Sequence, residues 1–182
     1  VICVNIVLVS TETGVGNVLK VVQEHQSDRR NVVIKITSEI SIPDEPHIDA
    51  ILEFQQGSKP YPELKRFLRL YKENVEKRSL LCYDFRDFFM LIRGRNVISI
   101  VSYEYRENIT EALDQLKSVK THEGVRYLLY FSVDKCDNDE IGNRQASIRD
   151  FMDAFPCENI TYWNIGESSS QIVALFASIP IE

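Results

Sequence analysis

Y61-P-E-L-K-R-F-L-R-L-Y-K-E-N-V-E-K-R78 decides how the chain divides, together with the acidic segment that follows it. Apolar residues fall at Leu64, Phe67, Leu68, Tyr71 and Val75. Steps of three and four make one buried stripe on a helix. Pro60 and Pro62 stand at its start, where a missing N–H costs little. Glu63 in the first turn and Lys77 and Arg78 in the last suit the helix dipole. The remaining positions carry Lys65, Arg66, Arg69, Lys72, Glu73 and Glu76, a solvated charged face. A long helix from Tyr61 to Arg78 is expected.

Beyond it the chain reads S79-L-L-C-Y-D-F-R-D-F-F89, placing Asp84 and Asp87 three apart among Phe85, Phe88 and Phe89. A carboxylate pair at this spacing can orient water. Asp84 is equally a helix N-cap, with Asp87 in the first turn. A helix from Asp84 to Ile92 closes at Gly94. The pattern then predicts a strand at 96–105, a helix at 108–119 with Ile109, Ala112, Leu113 and Leu116 on one face, and a buried strand at 125–133. After an acidic turn, Asp134 to Asp139, a helix runs to Phe155 on Ile141, Ile148, Phe151, Met152 and Phe155. Strands at 159–165 and 171–179 follow, expected as an antiparallel pair across a Gly166–Ser170 turn. The order implies a mixed four-stranded sheet with helices packed on it.

Upstream, V1-I-C-V-N-I-V-L-V9 is apolar and β-branched, the pattern of a buried parallel strand. S10-T-E-T-G-V-G16 reads as a polar turn, 17–26 as a helix through Val18, Val21 and Val22, and 31–37 as a second strand. Strand, turn, helix, strand is a right-handed βαβ unit. Such a turn is either an ordinary loop or an anion cradle. Ser38 to Pro60 is irregular, with a short helix expected at 48–54.

The chain of 182 residues is long enough for a sizeable core, and its net charge of −6 disfavours nucleic-acid partners. No apolar run reaches the ~20 residues of a membrane span. Cys3, Cys82, Cys136 and Cys157 lack metal spacing and read as reduced thiols of a cytoplasmic protein. His25, His47 and His122 are scattered. No metal ligand set is expected.

From about Val4 to Ile179 the chain resembles a divergent member of the FtsZ/tubulin family. The family's GGGTGTG loop aligns with Ser10–Gly16: Thr13, Gly14 and Gly16 match, while Ser10, Thr11 and Glu12 replace three glycines and Val15 a threonine. The family's Asn-x-Asp-x-x-Asp segment aligns with Cys82–Asp87, keeping both aspartates and replacing the asparagine by Cys82. The resemblance implies an α/β fold in three parts. Residues 1–60 are the remnant of a parallel-sheet GTPase-like domain, 61–78 the central helix, and 79–182 a C-terminal α/β domain with the mixed four-stranded sheet. It implies phosphate binding by Thr13, Gly14 and Gly16, and catalysis by Asp84 and Asp87 at a neighbouring subunit's GTP and Mg²⁺. The family's first half precedes the point matched by Val1, so a fragment or a reduced member is expected. Lost glycines and the Glu12 carboxylate weaken phosphate binding.

Three functions follow as expectations. One is a cytoplasmic cytoskeletal or cell-division protein that polymerises head to tail with itself or with FtsZ/tubulin-like subunits through the acidic loop. The second is a GTPase with a composite site between subunits. The third keeps only the fold and binds an unrelated protein.

Overall fold

The computed structural model describes residues 3–24, 29–76, 85–106, 109–119, 122, 124–133, 146–151, 153, 160–167 and 171–181. They fall into two compact units. The first comprises Val1–Lys65, Ile92–Ser99 and Ser178–Glu182, the second Arg66–Leu91 and Ile100–Ala177.

In the first unit, β1 (Cys3–Val9), β2 (Arg29–Lys35), β3 (Ala50–Phe54) and the start of β4 (Gly94–Glu104) lie side by side in chain order, all parallel. Helix α1 (Glu12–Glu24) connects β1 to β2. Val18 and Val22, one turn apart, bury its inner face against Val9, Val33 and Ile51, with Ile40 and Ile42 closing the core.

Three expectations are corrected here. β1 is not a buried strand: among the described strands it pairs with β2 alone, Val4 to Val7 are half-buried, and Leu8 is 48% exposed. Residues 50–54 form a strand, not a helix. Ala50, Ile51 and Leu52 are all buried because β3 is flanked by β2 and β4 and covered on both faces. Helix α1 begins at Glu12, not Asn17, so the turn after β1 shrinks to Ser10 and Thr11.

Helix α2 (Pro60–Tyr71) continues into a five-residue π turn, Lys72–Glu76. The expected residues Lys77 and Arg78 lie outside the described ones. Leu64, Phe67 and Leu70 are buried, whereas Leu68 is 40% exposed, so the stripe is rotated from the expected one. The π turn carries the buried face on to Glu73 and Asn74, and the Asn74 side-chain amide donates to the Leu70 carbonyl at 2.8 Å. An inserted side chain of this kind replaces part of a disturbed helical ladder.

In the second unit, α3 (Phe85–Ile92) is followed by the end of β4, α4 (Ile109–Lys117), β5 (Arg126–Val133), a helical run at 146–151, β6 (Ile160–Glu167) and β7 (Ile172–Pro180). The strands stand in the order β4-β7-β5-β6, the expected mixed four-stranded sheet. β5 and β6 are parallel. β7 runs against β4, with Tyr105 N–H bonded to Gln171 O here and Ile181 N–H to Arg95 O in the first unit. The expected pairing of the last two strands is therefore wrong. β6 pairs with β5 after a helical crossover, and β7 inserts between β4 and β5. Phe131, Leu129, Leu113, Leu116, Ile148 and Phe151 lead the core. Ile141, Met152, Phe155, the 134–139 turn, Cys82, Cys136, Cys157 and His25 lie outside the described residues.

Candidate functional site

Three places hold the residues with chemical potential. The first is the N-terminus of α1. Thr11 caps it: its hydroxyl accepts the Gly14 N–H at 3.3 Å, and its carbonyl accepts the same N–H at 3.0 Å. The Thr11 and Thr13 hydroxyls are 3.1 Å apart. Glu12 opens the helix, and its Oε1 accepts the Ser41 N–H at 3.2 Å. The structure thus brings Thr13, Gly14 and Gly16 together in the first two turns of one helix.

The Gly14 amide already has its acceptors, and a carboxylate stands in the first turn. A Cβ on Gly16 would meet nothing within 4 Å, and one on Gly14 would sit in ordinary contact with Thr11 and Val9. Neither glycine is required for space.

The second place is a cavity of about 700 Å³ at the carboxyl ends of β2 and β3. In open α/β sheets this end of parallel strands is where ligands bind. Lys35 and Glu53 face each other across the β2–β3 register. The Lys35 ammonium donates to Glu53 Oε2 at 2.6 Å and to the Ser38 carbonyl at 3.2 Å. Gln55, Gln56 and Ser58, on the turn from β3 to α2, also line the cavity. That turn is closed by Ser58 N–H on Gln55 O and by Gly57 at φ +85°, a left-handed conformation suited to glycine. Sequence reading missed this place because it took 48–54 for a helix. The signal was present: Lys35 and Glu53 each interrupt an apolar run, Val32–Ile36 and Ala50–Phe54.

The third place is the start of α3, in the second unit. Asp84 lies outside the described residues. Asp87 stands in the first turn and is half-buried. Next to it, Phe88 is fully buried, its ring 6.0 Å from Phe67, 5.8 Å from Tyr71 and 5.9 Å from Phe176. This cluster fixes the orientation of α3 and so the direction in which its first turn points. Arg126 donates to the Met90 carbonyl at the other end of the helix. The same unit buries Glu73, whose Oε2 accepts the Tyr130 hydroxyl at 3.2 Å. Burial, with the Glu73 carboxylate beside it, pushes the Tyr130 hydroxyl far above the ordinary phenol range.

Among the described residues no His, Cys, Asp and Glu gather as a metal site, and no helix is long and apolar enough to cross a membrane. No family model and no curated protein matches the sequence. Solved structures do match in fold. CetZ from Methanosaeta thermophila superposes with a TM-score of 0.54 at 13% identity, over 97% of this chain and 60% of that one. The GDP-form protofilament structure of TubZ from Bacillus thuringiensis serovar israelensis gives 0.54 at 9%, over 98% and 60%. The GTPγS-bound protofilament of CetZ2 from Haloferax volcanii gives 0.53 at 11%, over 98% and 65%. The chain thus spans less than two thirds of the length of these structures. Parallel sheet, central helix and mixed four-stranded sheet make its fold tubulin/FtsZ-like.

Proposed function

We propose that this chain is an assembly subunit of tubulin/FtsZ-like type, degenerate in nucleotide binding. It packs head to tail with like subunits through the segment that holds Asp84 and Asp87. The observation that carries the reading is the N-terminus of α1, where Thr11 occupies the Gly14 amide and Glu12 adds a negative charge. Structures of the same fold are of protofilaments, which supports assembly as its use. The aromatic anchoring of α3 supports a fixed contact surface at its start. A head-to-tail contact is heterologous and leads to open filaments.

The test is sedimentation and electron microscopy of the purified chain with and without GTP and Mg²⁺, beside calorimetry with GTP. Concentration-dependent assembly that ignores GTP, with no heat at millimolar GTP, is the expected result. Asp84→Ala and Asp87→Ala should each weaken assembly while the circular dichroism spectrum stays unchanged. Thr13, Gly14 and Gly16, kept together in the first two turns of α1, favour a second reading. In it the chain is a GTPase with a composite site, using Thr13, Gly14 and Gly16 on phosphate and the two aspartates on water. Micromolar GTP binding with turnover would select that reading.

A further inference from the structure

We infer that the outward face of α2 docks on an anionic lipid surface. Opposite the buried Leu64, Phe67 and Leu70, the helix carries a second stripe: Tyr61, Lys65, Leu68 and Arg69, continued by Lys72 at the start of the π turn. These positions again follow steps of three and four, so they share one side of the helix. Lys65 and Lys72 are exposed and make no ion pair among the described residues. Arg69 is half-buried and 3.0 Å from Glu104, a strongly exposed partner, and Arg66 is exposed beside the stripe. From Lys59 to Lys72 the chain holds five cations and one carboxylate, the half-buried Glu63, in a molecule of net charge −6. The positive charge is therefore concentrated on this helix and is not a property of the surface at large. Two apolar side chains lie in line with it. Tyr61, 68% exposed, is the most exposed of the described large hydrophobic residues, and Leu68, two turns on, is 40% exposed.

The mixture on the stripe selects the partner. Cations interleaved with a tyrosine and a leucine match a surface that is anionic at the headgroups and apolar just beneath them. Tyrosine suits that boundary, with its ring in the apolar layer and its hydroxyl in the wet one. Lysine and arginine lay their stems along apolar surface and keep the charge at the headgroups. A helix face about 16 Å long is a convex ridge. An acidic peptide would need a groove or a free strand edge, which a ridge does not supply. Nucleic acid would meet the cations but offers Leu68 nothing to bury, and the stripe has no amide side chain to read a base edge.

The experiment is flotation of the whole chain with vesicles, which separates lipid-bound chain from any self-assembled chain. One set is phosphatidylcholine alone, and the other carries about one third phosphatidylserine. The chain should float with the anionic set at a lipid concentration about tenfold or more below that needed with the neutral one. Binding should weaken as salt rises from about 0.1 M to about 1 M, where the screening length falls from about 10 Å to about 3 Å. The double variant Lys65→Glu with Lys72→Glu should lose about tenfold or more in affinity. Lys20→Glu with Arg93→Glu makes the same change in net charge at two exposed positions elsewhere and should lose far less. Tyr61→Ser with Leu68→Ser, both exposed, should weaken the anionic set severalfold with an unchanged circular dichroism spectrum. Equal flotation with both vesicle sets, none with either, or equal losses in the two charge-reversed variants overturns the inference. Tighter binding of duplex DNA than of anionic vesicles overturns it too, since nucleic acid would then be the occupant. The inference does not depend on the state of the nucleotide site.

Discussion

A methyl group at position 16 has open space around it, and the backbone there is that of an ordinary helix. Gly16→Ala should therefore stabilise the chain by about 0.5–1 kcal/mol, by removing glycine's freedom in the unfolded state. Thr11→Ala removes the cap of the same helix and should cost about 1 kcal/mol. Urea midpoints of the two variants decide where α1 begins. Were the chain a loop as far as Gly16, the first change would not stabilise. Tyr130 gives a second residue-level expectation. Its hydroxyl holds its proton well above pH 10 in the folded state, whereas an unfolded phenol loses it near there. The folded state then binds more protons than the unfolded, so stability falls as pH rises above about 10. Tyr130→Phe should flatten that alkaline slope in melting curves at pH 9 to 11, while costing about 1–3 kcal/mol at neutral pH for the lost hydrogen bond to the buried Glu73 carboxylate.

At the level of elements, the long periodic segments were legible and the short ones were not. α4 is found with the four buried residues its spacing named, because nine residues with steps of three and four leave one solution. β3 is five residues long, and a run such as Ala50-Ile51-Leu52 fits a buried strand or a buried helical turn equally until its neighbours are known. The position of β7 depends on long-range pairing, which local pattern does not encode. The buried stripe of α2 runs through Leu64, Phe67 and Leu70 and on to Glu73 and Asn74, polar residues that an apolar pattern does not count as core. Of the candidate site, the glycine-containing stretch was recognised by resemblance, but its capped helical geometry came from Thr11, a residue weighed only as a lost glycine. Two measurements probe these elements. Phe88→Ala should cost about 3–5 kcal/mol, since it empties a fully buried position against three rings. Met90→Gln, half exposed on the same helix, should stay within about 0.5 kcal/mol by the same denaturation assay.

For the whole molecule, charge is the term that assembly has to overcome. Each copy carries a net charge of −6. On the proposed reading the docking segment is itself acidic, through Asp84 and Asp87, and the α1 end that would receive it presents Glu12. Like charges at contact oppose association, and salt relieves them: the screening length falls from about 30 Å at 0.01 M to about 8 Å at 0.15 M. Self-association should therefore strengthen as sodium chloride is raised through this range, read as a falling concentration for half-assembly in sedimentation velocity. Apolar and aromatic contacts, which salt does not screen, would supply the favourable part. Association that weakens with salt would mean that cations on the neighbouring copy receive the acidic segment. The end of α1 would then be excluded as the receiving surface, and with it the head-to-tail arrangement proposed here.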